Sequence, residues 1–213
     1  MIVDLLEYRV VPGHDAELAG YLRHEAQRMP PAEGLISRFV GRRLSHEGRE
    51  NLAATLWRDE RAFANGTDSA AVPKYLAAVS ELLGDRASRR YRVVASTGID
   101  RGGAKVLRLY RTTLATEMVG ACERQAFERI GQLAIMDGLL AAVAAVEAGP
   151  VDEDQPTGAA RVVVLTTWTE WDALLAATGG RLNRPLTDTE LADLERPASA
   201  DHFELVDADQ RPA

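Results

Sequence analysis

The sequence predicts an α+β fold in which two similar halves of one chain pack sheet to sheet. Two observations predict it: an internal repeat, and the same order of strands and helices on either side of a glycine-rich seam. The repeat is clearest at Leu52-Ala53-Ala54-Thr55-Leu56-Trp57, which runs into Arg58-Asp59-Glu60-Arg61-Ala62-Phe63. Val162-Val163-Val164-Leu165-Thr166-Thr167-Trp168 has the same form and is followed by Thr169-Glu170-Trp171-Asp172-Ala173-Leu174, an offset of 111 residues between the tryptophans. Three further matches keep the order along the chain. Leu5-Leu6-Glu7-Tyr8-Arg9 resembles Leu107-Arg108-Leu109-Tyr110-Arg111 at an offset of 102. Glu33-Gly34-Leu35 resembles Asp137-Gly138-Leu139 at 104, and Arg90-Tyr91-Arg92-Val93-Val94 resembles His202-Phe203-Glu204-Leu205-Val206 at 112. Offsets that only grow along the chain are what one duplication with loop insertions leaves behind.

Each element follows from local signals. Ile2 to Val11 reads as a strand closed by the turn-former Pro12-Gly13. His14-Asp15-Ala16-Glu17 starts a helix to about Arg28, with Leu18, Leu22, Ala26 and Met29 on one stripe, and Pro30-Pro31 ends it. Gly34 to Leu44 returns as a strand, and Glu47-Gly48-Arg49-Glu50 turns into the strand that ends at Trp57. Asp59 and Glu60 suit the positive end of the next helix, a second helical piece covers Val72 to Leu83, and Arg89 to Ser96 is the fourth strand. Thr97-Gly98-Ile99-Asp100-Arg101-Gly102-Gly103 is the seam.

Beyond the seam come strand Lys105 to Thr113, helix Thr116 to Leu133, strand Gly138 to Glu147 and a polar loop, Gly149 to Gly158. Strand Arg161 to Trp168, helix Thr169 to Ala177, a helix around Asp188 to Leu194 and strand Asp201 to Asp207 complete the chain. Both halves thus read βαββαβ, the split β-α-β order of a ferredoxin-like module. The expected division is residues 1–97, a linker 98–103, and residues 104–213. A four-stranded sheet with helices on one face leaves the other face bare, and two such sheets cover one another.

A formal charge of −7 argues against bulk binding to nucleic acid or an anionic membrane. The N-terminus lacks the pattern of a signal peptide, no apolar run is long enough to span a membrane, and Cys122 is the only cysteine; a cytoplasmic location is expected. No cluster has metal-ligand spacing, no glycine-rich phosphate loop follows a strand, and no nucleophile elbow occurs.

The element order over nearly the whole chain, with a strand-end tryptophan followed by an acidic turn and Ala-Phe or Ala-Leu, resembles the dimeric α+β barrel superfamily. Within it the resemblance is to the antibiotic-biosynthesis monooxygenase and haem-degrading monooxygenase families. It implies an intramolecular dimeric α+β barrel, with a pocket between sheet and helices in each half and Trp57 and Trp168 on its walls. The asparagine that anthrone-oxidising members place four residues before the tryptophan is replaced here by Ala53 and Val164. Haem-degrading members have an asparagine on the first strand and a histidine ligand on the helix after the tryptophan. This chain has Leu6 and Arg108 on the first strands and no histidine between His46 and His202, which disfavours haem degradation.

Fused forms are similar in layout to oxygenases that tailor or open the rings of aromatic polyketides. The implied function is an oxygenase acting on a polycyclic phenol or anthrone in secondary-metabolite biosynthesis. Dioxygen is the co-substrate, with either no cofactor or reduced flavin (FADH2 or FMNH2) delivered by a partner reductase. A non-catalytic protein that binds a small aromatic ligand, and a cyclase or isomerase of the same fold, remain as alternatives. The chain is expected as a monomer, itself a pseudo-dimer, or as a homodimer.

Triplet dioxygen reacts slowly with closed-shell organic molecules, so without a cofactor the substrate must itself give up an electron, as a deprotonated phenol can. The protein then needs an apolar pocket, a base for the phenol and a donor for the developing anion. Trp57 and Trp168 offer a stacking surface and an indole N–H, or are core aromatics at sheet ends. Alternation places Tyr8 and, in the second half, Arg108 and Tyr110 on the face that holds the tryptophan. Arg108 is a candidate counter-charge for a phenolate or peroxide, or a surface arginine paired with an acid. His24 and Glu25, at the border of the first apolar helix stripe, are candidate general bases, or solvated residues. His202, just before the last strand, is placed to reach a pocket mouth. Ala142 and Ala144 lie in a run of small residues that either leaves room for a flat ligand or admits a closely packed helix such as Cys122 to Leu133.

Overall fold

The computed structural model describes residues 1–20, 32–43, 50–67, 79–99, 102–147, 159–183, 186 and 199–208. Eight strands are present among them: β1 (Ile2–Val10), β2 (Leu35–Arg43), β3 (Glu50–Trp57), β4 (Leu83–Thr97), β5 (Val106–Ala115), β6 (Leu139–Glu147), β7 (Ala159–Trp168) and β8 (Ser199–Ala208). Helix α1 (Glu60–Thr67) follows β3. Helix α2 (Val119–Leu133) joins β5 to β6 through a 3-10 turn, Thr116–Met118, and α3 (Trp171–Ala177) follows β7. Residues 15–20 are also helical. The remainder of the helix expected to Arg28, and the one expected over Asp188 to Leu194, lie outside the described residues.

The strands close into a single antiparallel barrel in the order β1-β3-β2-β8-β5-β7-β6-β4. Each half keeps the ferredoxin-like order, with its fourth strand beside its first, then its third and second. The halves meet edge to edge twice, where β2 pairs with β8 and β4 pairs with β6. Four sheet edges that would expose unpaired N–H and C=O groups are thereby removed. The fold is a fused dimeric α+β barrel, as the element order predicts.

Alternation sends every second side chain inward. Val3, Leu5, Phe39, Leu52, Ala54, Leu56, Leu107, Leu109, Val143, Ala145, Val163, Leu165 and Phe203 form one buried cluster drawn from both halves. Towards one end of the barrel the inward positions become charged. Arg43 pairs with Glu50 and with Asp201, and Arg111 pairs with Asp201 and with Glu7 (2.6 Å). Arg161 pairs with Glu147 at 3.1 Å. Two of these contacts, Arg111–Glu7 and Arg43–Asp201, cross between the halves.

Pairing registers fix which residues correspond. Ile2 lies opposite Trp57, and Val106 lies opposite Trp168, so the first strands are equivalent at an offset of 104 residues. The offset of 102 read from the sequence is slipped by two. Leu6 corresponds to Tyr110 and Asp4 to Arg108, and Tyr8 is not the counterpart of Tyr110. A two-residue slip keeps every side chain on its face, so hydrophobic alternation cannot detect it. A second difference is β4, which begins at Leu83 and not at Arg89. Residues 79–80 are still helical, but Leu83 already pairs with Val10. Its early part pairs with β1 alone, and most of residues 84–90 are exposed. Water on one side removes the apolar alternation that would announce a strand.

Gly34 and Gly138 open β2 and β6 with φ of +82° and +76°. Their carbonyls accept from the backbone N–H of Arg58 (2.8 Å) and Thr169 (2.9 Å), the residues after the two tryptophans. A Cβ at Gly34 would overlap the Cβ of Ala62, and one at Gly138 the Cβ of Ala173. The left-handed backbone and the close helix therefore require glycine twice, at equivalent places. Gly138→Ala is expected to lower stability by about 2–4 kcal/mol, summing backbone strain and overpacking. Gly34→Ala should behave alike. Urea unfolding of each variant measures it, and a loss below about 1 kcal/mol would contradict the tight turn.

Candidate active site in the second half

The two tryptophans are held in the same way. The indole N–H of Trp57 donates to Thr55 Oγ1 at 3.0 Å, and that of Trp168 donates to Thr166 Oγ1 at 3.0 Å. Both rings are buried on the outer face of the barrel. The N–H groups expected to serve a substrate are thus already engaged by the threonine two residues earlier on the same strand. Their surroundings differ. Trp57 packs with Ile2 and Ala62 and edge-on against Phe63, centroids 5.9 Å apart. Trp168 sits in a larger layer with Tyr110, Ala142, Ala144, Val164 and Leu174, roofed by Ala126, Ile130 and Leu133 of α2. Between the two readings of the alanine run, the structure selects the closely packed helix: α2 crosses β4 and β6 over Ala95, Ala142 and Ala144.

One row across the outer face separates the halves chemically. In the first half, Arg90, Asp4, Thr55 and Arg38 lie side by side on β4, β1, β3 and β2. None of the four is fully buried. Burial pushes the Asp4 carboxyl up from its ordinary range, against a hydrogen bond from Ser88 (3.1 Å) and the charge of Arg90. In the second half the equivalent row is His202, Arg108, Thr166 and Ala142. Here Arg108 is 0% exposed and His202 only 8%. An aspartate in one copy has become an arginine in the other, and the row has been moved out of water.

Arg108 lies over the Tyr110 ring at 5.1 Å, and His202 sits 6.0 Å from the Trp171 ring, centroid to centroid. The His202 Nε2 atom is buried and meets no hydrogen-bond partner among the described residues, while the ring is held by the backbone of Leu182. The contact to Leu182 therefore falls to Nδ1, which donates, and Nε2 keeps its lone pair. Burial and the neighbouring Arg108 and Arg43 guanidinium groups lower the His202 pKa from 6.5 to about 4, against the Leu182 contact. At neutral pH the ring is neutral, as an acceptor of a substrate proton must be.

Of the residues singled out from sequence, Trp168, Arg108, Tyr110, Ala142 and Ala144 share this layer, and His202 lies opposite Arg108 at its edge. Trp57 and Tyr8 do not come together. Tyr8 packs with Val10, Leu18, Val79 and Leu82 in a separate cluster of the first half. His24 and Glu25 lie outside the described residues. Sequence reasoning missed Thr166, Trp171 and Leu182. Thr166 had a visible signal, since threonine stands two places before both tryptophans; Leu182 had none, because it acts through its carbonyl.

A surface cleft of about 440 Å³ opens beside this layer, between Met136, Asp137 and Gly138 on one side and Thr169, Glu170 and α3 on the other. None of the predicted site residues lines it. In the first half the matching place is spanned by Arg58, 3.9 Å from Glu33 and 3.4 Å from Asp59. Among the described residues there is no group of three or more His, Cys, Asp or Glu placed to hold a metal ion.

No family model matches the chain, and no curated protein matches it. Solved structures do. A provisionally named monooxygenase from Lactobacillus acidophilus superposes with a TM-score of 0.73 at 11% identity, over 97% of this chain and 94% of the other. Another from Fusobacterium nucleatum gives 0.71 at 11% identity, over 97% and 93%. An anthrone oxidase-like protein gives 0.61 at 13%, over 97% and 92%. The chain shares their fold. At such identities the likeness carries architecture and not activity.

The lowered His202 pKa has a testable sign. Above pH 6.5 the ring is neutral folded or unfolded and contributes no pH dependence. Between pH 6.5 and about 4 the unfolded chain binds a proton that the folded chain refuses, so stability falls as the pH falls. Between pH 7 and pH 4 the wild type is expected to lose on the order of 3 kcal/mol more than His202→Gln. Denaturant titrations at both pH values measure this; equal losses would contradict a buried neutral ring.

Proposed function

We propose that the chain is an oxygenase for a phenolic aromatic substrate, with its active site in the second copy, residues 104–213. Residues 1–97 form the supporting copy and 98–103 the linker. The single observation that supports this most is the buried row on the outer face, where a neutral histidine, its Nε2 without a hydrogen-bond partner among the described residues, stands next to a fully buried arginine. A base and a fixed positive charge at low dielectric are the two groups needed to make and hold a phenolate. Shared architecture with monooxygenases and an anthrone oxidase-like protein agrees with the reading.

In this reading His202 Nε2 removes the proton that turns an anthrone or hydroxyanthracene into its anion, and Arg108 carries the negative charge. The electron-rich anion reduces dioxygen by one electron, and the two radicals join at carbon as a hydroperoxide. Loss of water from it leaves a carbonyl: for an anthrone, one CH2 and one O2 give one C=O and one H2O. The substrate supplies the electrons, so no cofactor is required. Tyr110, Ala142, Ala144 and Trp168 are the packed apolar layer against which the pair is held, and the adjoining cleft, with Met136, Ala173 and Ala177 on its walls, is the proposed way in for the substrate. A polyketide-type polycycle is the proposed substrate class. Reduced flavin from a partner reductase is the alternative electron source that the test below separates.

Oxygen uptake with an anthrone, with and without reduced flavin, tests the proposal. Turnover without flavin is expected, with His202→Gln lowering kcat by about 100-fold or more while substrate binding is retained. Arg108→Lys should lower turnover while keeping a charge at the position. Tight binding with no oxygen uptake under either condition would instead favour a carrier of small aromatic ligands.

A further inference from the structure

We infer that the outer face of α2 pairs with the same face of a second copy of this chain, across a two-fold axis near Phe127. Phe127 is 79% exposed and Ile135, just past the C-terminus of α2, is 86% exposed; they are among the few large apolar side chains left in water by the described residues. At 100° per residue, Gly120, Arg124, Phe127, Glu128 and Gly131 occupy one arc of the helix, and Ile135 continues it one turn on. The opposite arc, with Ala126, Ile130 and Leu133, is the one that roofs Trp168, so the exposed arc is not needed for the fold. A Cβ at Gly131 would meet nothing within 4 Å, and one at Gly120 would meet only the end of the Arg124 side chain. Two shallow places therefore flank a protruding ring.

The charges on this arc identify the occupant. Arg124 and Glu128 flank Phe127, and neither forms an ion pair among the described residues, whereas Glu123 is paired with Arg92 and Arg129 donates to Gln125. One positive and one negative group beside an apolar centre make a self-complementary surface. If two such helices run antiparallel about a point level with residue 126, Arg124 of each copy faces Glu128 of the other, and the two Phe127 rings lie side by side across the axis. An isologous contact of this kind satisfies both pairs at once. A partner of a single charge sign would satisfy only one. A helix about 22 Å long offers a small contact, so the dimer is expected to be weak, with Kd in the micromolar range or above.

Sedimentation velocity between about 1 and 500 µM is expected to show a reversible monomer–dimer equilibrium. Phe127→Glu should raise Kd by more than about tenfold while the far-UV circular dichroism stays unchanged, since the residue is exposed. Arg124→Glu alone and Glu128→Arg alone should each weaken the dimer through like charges. The double variant, with the signs exchanged, should return Kd to within about threefold of wild type. A monomer throughout the range, a dimer indifferent to Phe127→Glu, or a double variant no tighter than the single ones would overturn the proposal.

Discussion

Everything in this molecule depends on the two places where one half's outer strand finds the other's. Each four-stranded sheet ends in bare backbone on both edges, and the pairs β2/β8 and β4/β6 close those edges against each other. Closure bends the two sheets around a common apolar interior, which neither encloses alone. It also brings the halves' charged ends together, and there the fused chain differs from a symmetric dimer. A side chain near a true two-fold axis meets its own copy. Here Glu7 meets Arg111, which is its equivalent at the structural offset of 104. Arg43 pairs with Glu50 in one half, and the equivalent pair in the other is Glu147 with Arg161, signs exchanged. Joining the copies in one chain lets equivalent positions take opposite charges, and such halves fit one another better than either fits itself.

The same freedom accounts for the unequal outer faces. Both copies keep the anchoring set of glycine turn, threonine and tryptophan, because these hold the helix after the third strand against the sheet. The row next to the tryptophan has no such duty and has diverged. In the first copy it kept solvent-tolerant groups, Asp4 and Arg90. In the second it combined a buried Arg108 with a buried His202, the latter against Trp171 and Leu182. A buried guanidinium beside a buried imidazole is the chemical difference between the copies, and it is on this difference that the proposal for the second copy rests.

Much of the architecture was legible in the sequence because it is written in local patterns: alternation for strands, the apolar stripe of α2, and the repeated tryptophan with its acidic turn. The register of β1 against β5 was not, since sliding by two residues leaves the in-and-out pattern intact and only the pairing of Ile2 and Val106 with the tryptophans fixes it. The first residues of β4 were hidden because Gly84 to Arg90 are largely in water and obey no apolar rule. For the site, the facing of Arg108, Tyr110 and Trp168 followed from period two. That Arg108 and His202, far apart in sequence, are direct neighbours required the strand order, and the engagement of both indole N–H groups required the side-chain geometry.

Native-state hydrogen exchange at the two seams tests the central claim most directly. The account predicts that amides in the β2/β8 and β4/β6 ladders exchange only through the same global unfolding as those in the β1/β3 and β5/β7 ladders, with one common free energy and one common denaturant dependence. Seam amides that open at distinctly lower free energy, or two halves that unfold separately, would show that each sheet stands alone and would contradict it.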